Sequence, residues 1–207
     1  MNYQVSKLML VAAAAALCAP LAIAQDATST TPTTATTKPK YTINERKQNQ
    51  QQRIGEGVEN GSLTANEAAH IEKQETRLNQ EEKVLKSDGT LSAADRAKLQ
   101  NQQNKLSSEI YNQKHDAQTQ NLNPKSEVGQ RQLNQQQRIG EGIENGSLTA
   151  REASHVENRE AGINKEVAGM RQANGGTLTP QERHMVNHQQ NKTSKAIYHQ
   201  KHDAQHK

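Results

Sequence analysis

The 207-residue chain carries eight histidines and 22 acidic side chains, and these are the groups that could give it selective binding chemistry. Glu67-Ala-Ala-His70 and Glu152-Ala-Ser-His155 are Glu-x-x-His pairs. On a helix that spacing sets an acid and an imidazole on one face, as metal-binding bundles do. Lys114-His115-Asp116 and Lys201-His202-Asp203 recur further along. Antiparallel packing of the helices that carry them would bring His115 and Asp116 toward Glu67 and His70, and His202 and Asp203 toward Glu152 and His155. Two imidazoles and two carboxylates suit Zn, Cu or Ni without any thiol. His184 and His188 lie one turn apart, as do His199 and Asp203, so the last helix is expected to chelate a transition metal with its own residues. His206 follows at the end of the chain.

Calcium is a weaker expectation. Residues 56–67 resemble an EF-hand loop, with Glu56 first, Gly61 sixth, Leu63 eighth and Glu67 twelfth. The third position is Val58, or Ile143 in the second copy, and neither supplies the oxygen that a hard cation requires. Calcium or lanthanide binding would rest on Glu56, Glu67, Glu141 and Glu152. Catalysis is not expected, because no nucleophile stands beside a base and no glycine loop suggests an oxyanion hole. Gly55, Gly57, Gly140 and Gly142 lack the preceding strand of a phosphate-binding loop. Inside a helix each costs roughly 1 kcal/mol relative to Ala, so they should mark a bend or a close crossing.

The elements that position these groups come from an internal duplication. Residues 49–65, NQQQRIGEGVENGSLTA, return at 134–150 with one change, and IYNQKHDAQ at 110–118 returns as IYHQKHDAQ at 197–205. The offset grows from 85 to 87 at the turn near Gly89, where a repeat tolerates insertion. Each copy reads as three helices. The first runs over about 44–59 and 126–144. The second begins at the capping boxes Thr64/Glu67 and Thr149/Glu152, and the third at Ser92/Asp95 and Thr179/Glu182, with Pro180 at its first position. The second helix places Ala68, Ile71, Glu75, Leu78, Glu82 and Leu85 on one narrow stripe, and the copy places Ala153, Val156, Glu160, Ile163, Val167 and Met170 there, a coiled-coil-like seam.

The fold class is therefore all-α: two tandem three-helix units of antiparallel, coiled-coil-like hairpins, elongated, with homodimerisation as one way to complete a thin core. Phe and Trp are absent and Tyr numbers four, so burial per residue is low. Net charge is +4, too balanced for a nucleic-acid footprint, and the Gln-rich tracts lack interleaved aromatics.

Residues 1–24 read as a secretory signal, with Lys7, an apolar run from Leu8 to Leu17 and Ala22-Ile23-Ala24 as the cleavage site. Cleavage would remove Cys18, the one thiol, and leave no segment for stable membrane insertion. Residues 25–43 form a Thr- and Pro-rich leader expected to be disordered. Repeat one spans 44–118, a linker 119–127 and repeat two 128–207. The product is expected in the periplasm or outside the cell.

Four segments share the pattern Leu-Thr/Ser-x-x-Glu/Asp: Leu63 to Glu67, Leu91 to Asp95, Leu148 to Glu152 and Leu178 to Glu182. In these the chain resembles the Spy/CpxP family of periplasmic helical stress proteins, whose signature is Leu-Thr-x-x-Gln, with an acid here in place of Gln. The resemblance implies a cradle-like helical dimer that holds unfolded clients, or a modulator of an envelope protein, with zinc binding in some relatives. From the residues themselves, the leading expectation is a non-enzymatic binding protein for transition-metal ions. A chaperone or regulatory partner is the alternative.

Overall fold

The computed structural model describes residues 41–205. The expected signal, nearly all of the leader and His206 lie outside that range. Six helices follow in order: α1 Ile43–Glu59, α2 Ala65–Leu85, α3 Ala93–Lys114, α4 Glu127–Asn145, α5 Ala150–Ala173 and α6 Pro180–Lys201. Among the described residues there is no strand, and no helix is long and apolar enough to cross a membrane.

Local chemistry sets the boundaries. The four expected capping boxes form, and a fifth joins Thr42 to Glu45. In the box at α2, Thr64 N donates to Glu67 Oε2 at 2.8 Å while Glu67 N donates to Thr64 Oγ1 at 3.3 Å. Such a cap stabilises a helix by about 1 kcal/mol. Ser126 caps α4 by accepting from Gly129 N. Gly61 and Gly146 end their turns with φ of 75° and 77°, a left-handed backbone that glycine enters without steric cost.

The two copies pack on each other. The main contacts pair α1 with α4 and α2 with α5, while α3 lies on α1 and α2, and α6 on α4 and α5. One buried cluster runs through both copies, from Ile54, Val58, Leu63 and Ile71 to Ile139, Ile143, Leu148 and Val156. A smaller one of Val128, Ile163, Val167 and Val186 belongs to copy two alone. The expected α2 stripe is buried from Ala68 to Glu82, with Leu85 only partly covered.

The paired glycines mark a crossing. A Cβ on Gly55 would stand 2.8 Å from Gly140 O, and one on Gly140 would stand 2.9 Å from Gly55 O. The backbones of α1 and α4 therefore touch at this point, and only glycine at both positions allows it. Gly57 and Gly142 have a different task. Leu63 N donates to Gly57 O and Leu148 N to Gly142 O, each at 2.9 Å, and both leucine side chains fold back over the bare glycine. A Cβ there would fall 2.7 Å from the leucine.

The glutamine tracts supply polar mortar. Buried Gln50 donates to Gln103 O at 2.9 Å and buried Gln135 to Gln190 O at 2.9 Å, while Gln103 and Gln190 donate back to Ile43 O and Val128 O. Each glutamine thus ties two helices of its own copy together. Burying an amide without such partners would cost one to several kcal/mol.

Gly55→Ala should lower stability by about 2 kcal/mol or more in chemical denaturation despite alanine's better helix propensity, because a backbone must move. Gly162→Ala meets nothing within 4 Å and should instead raise stability, by roughly 0.5–1 kcal/mol. Equal effects at the two positions would contradict the close crossing.

Candidate functional site at the junction of the two copies

All seven histidines in the described range, His70, His115, His155, His184, His188, His199 and His202, are exposed. His70 Nε2 lies 3.4 Å from Glu109 Oε1, an acid–imidazole contact between α2 and α3. Its neighbour in sequence, Glu67, is turned into the helix cap, as is Glu152 in the other copy. The Glu-x-x-His spacing therefore serves helix initiation here.

His115 and His202 stop helices. Each lies against the tyrosine one turn earlier, with ring centroids 4.2 Å apart for Tyr111–His115 and 4.3 Å for Tyr198–His202. Each also places Nδ1 2.7 Å from that tyrosine's carbonyl oxygen. A carbonyl can only accept, so Nδ1 carries the proton and the outward Nε2 is left as the acceptor of the neutral ring. Asp116 and Asp203 accept from Gln118 N at 2.7 Å and Gln205 N at 2.8 Å, closing the turn that follows. Lys114 and Lys201 between them donate at 3.0 Å to Arg53 O and Arg138 O. The repeated Tyr-x-x-Lys-His-Asp segment is thus a helix terminus pinned to the first helix of its copy. Among the described residues, no group of three or more His, Cys, Asp or Glu stands close enough to hold a metal ion. His184 and His188 remain one turn apart on the open side of α6, and His199 lies beside Tyr198.

The concentration of chemistry lies elsewhere, inside the α2–α5 contact. Ser154 Oγ donates to Ala69 O at 3.0 Å where the two helices meet. One turn on, Glu72 and Glu157 are 0% exposed, with Glu160 at 0% and Glu75 at 1%. Glutamines from the crossing pair α1 and α4 address the first two: Gln51 Nε2 donates to Glu72 at 3.2 Å and Gln136 Nε2 to Glu157 at 3.1 Å. Burial pushes the Glu157 carboxyl well up; the Gln136 hydrogen bond opposes this, and the charges of Glu160 and Glu72 add to it. Burial alone pushes Glu160 up to about 8. Dry surroundings disfavour the charged form of both carboxyls, Glu157 and Glu160.

At the surface above the α1–α4 crossing, Glu144 lies over Gly55 and Glu59 over Gly140. Burial and the neighbouring Glu144, Glu141 and Glu56 carboxylates raise the pKa of Glu59, with Lys201 opposing.

No family model matches this chain, and no curated protein or solved structure shows significant similarity to it.

Sequence reasoning placed Glu75 and Glu160 on the seam but missed Glu72, Glu157, Gln51 and Gln136. The signal was present as a second stripe, Ala65, Ala69 and Glu72, beside the first. A helix gripped from two sides needs two stripes, and α2 touches both α3 and α5.

Glu160→Gln keeps the side chain's shape and removes its ionisation. The folded state holds this proton more tightly than the unfolded chain, so the parent should lose stability as pH climbs from the ordinary 4.5 toward about 8. The variant should melt about 5–10 °C higher than the parent at pH 8 and within ~2 °C of it near pH 4.5. A pH-independent difference in thermal melts would remove protonation from the account.

Proposed function

We propose that the chain is an exported, non-enzymatic helical binding protein, built on a duplicated three-helix unit, whose ligand is a polypeptide: an unfolded client or an envelope protein. The observation that supports this reading is a polar concavity of about 640 Å³ built from both copies, lined by Gln48, Asn49 and Gln52 of α1 and by Glu144, Asn145, Gly146 and Ser147. Its walls offer carboxamides, the Glu144 carboxylate and a hydroxyl, which suit the N–H and C=O groups of a peptide main chain better than a small reactive substrate. The secretory character of residues 1–24 supports export, and the Leu-Thr-x-x-Glu segments support kinship in architecture with the Spy/CpxP proteins.

His184 and His188, exposed one turn apart on α6, favour a second reading in which Zn, Cu or Ni binds at the surface. Imidazoles at this spacing chelate from one helix without rearranging the core.

One pair of measurements separates the two. The protein should slow the aggregation of a chemically unfolded test protein at near-stoichiometric ratio, and His184→Ala/His188→Ala should leave that activity intact. Loss of holding in the histidine variant, together with a metal-induced rise in melting midpoint present only in the parent, would transfer the function to the metal.

A further inference from the structure

Duplication lets one copy report on the other. Ahead of α4, the linker crosses the turn of copy one and seats Gln120. Gln120 N donates to Gly61 O at 3.0 Å, and Gln120 Nε2 donates to Gln136 Oε1 at 2.7 Å. Its Cβ packs over Gly61, 3.4 Å from where a Cβ there would stand. Gln136 passes the chain of hydrogen bonds inward to Glu157. A turn-forming linker segment with a carboxamide side chain therefore occupies this place, Leu122 N donating back to Gln120 O at 3.0 Å, and completes a relay from the surface to the buried acids.

By the offset of 85, the counterparts of Gly61 and Gln136 are Gly146 and Gln51. Gln51 is 2% exposed and donates to Glu72 as Gln136 does to Glu157. Its Oε1, however, accepts no hydrogen bond among the described residues. Gly146 lines the concavity of about 640 Å³, and Gln51 lines a second one of about 500 Å³ with Asn79 and Thr149, Gln48 belonging to both. A buried amide oxygen without a donor is costly, and here it lies where the other copy supplies one.

We propose that this groove binds a non-helical polypeptide segment bearing a Gln or Asn side chain, seated as the linker seats Gln120: its backbone N–H on Gly146 O and its side-chain amide on Gln51 Oε1. The inference rests on the polypeptide-binding reading above and adds its site and its recognition chemistry. The occupant is a polypeptide because a polypeptide fills the equivalent place. The carboxamide is required because Gln51 Oε1 needs a donor that carries no charge into a buried position.

The test titrates the isotope-labelled protein with the blocked peptide Thr-Gln-Asn-Leu-Asn-Pro-Lys, the sequence of residues 119–125, and follows amide shifts by NMR. Saturable shifts confined to Gln48–Gln52 and Asn145–Thr149 are expected. Replacing the peptide's Gln by Met should weaken binding about tenfold, or ~1.4 kcal/mol. Gln51→Leu should do the same. Asn49→Trp, at the exposed rim, should block the groove with an unchanged melt, so a folding defect in Gln51→Leu would not obscure the result. No saturation by about 5 mM peptide, shifts elsewhere, or equal binding of the Met peptide would overturn the site. A concentration-dependent dimer that the peptide dissociates would give the groove to a second copy and likewise overturn it. Client holding that persists in Asn49→Trp would leave the broader function standing while removing this site from it.

Discussion

Close approach of two helix backbones is the constraint on which the rest of this structure depends. A chain with neither Phe nor Trp cannot fill a wide gap between helices with side chains. At Gly55 and Gly140 it removes the gap instead, so that α1 and α4 meet main chain to main chain. That contact draws α2 and α5 together behind it, and small residues such as Ala68, Ala69 and Ala153 accept the resulting short distance. Dispersion energy in a core of this kind comes from the number of close contacts more than from the size of each side chain.

The same closeness explains why acids lie inside. Once α2 and α5 are in contact along a face carrying Glu72, Glu75, Glu157 and Glu160, those groups are almost wholly withdrawn from solvent. Gln51 and Gln136 donate hydrogen bonds to Glu72 and Glu157, and for Glu157 and Glu160 burial favours the neutral form of the carboxyl. Apolar residues at these positions would pack without such support. The retention of the acids and their glutamine partners in both copies ties the stability of the junction to solution pH.

Much of the fold was legible in the sequence because helix termini are local. Thr64, Ser92, Thr149 and Thr179 cap as their spacing to an acid three residues on requires, and no distant residue is needed to predict it. The glycine pairs were legible as a close crossing, though not which helices cross. The expected histidine and carboxylate sets do not gather among the described residues, since the spacing that places Glu67 and His70 on one face also makes Glu67 a capping acid. Capping is satisfied within one turn, whereas a metal set needs two helices in a particular register. The buried acids were hidden because their environment belongs to the second copy, 85 residues away.

The reciprocity of the junction bears on the chain's ancestry. Gly55 meets Gly140, Ala69 meets Ser154 and Glu72 faces Glu157, each residue against its own counterpart. Self-complementary pairing of this kind is the mark of an isologous interface, the one a two-fold homodimer makes. A single-copy ancestor could have formed the junction from two identical chains, and fusion would then have turned a symmetric dimer into one polypeptide. Within one chain the two halves need not be identical: Ser154 carries a hydroxyl where its counterpart Ala69 has none, and the connecting segment seats Gln120 against the Gly61 turn.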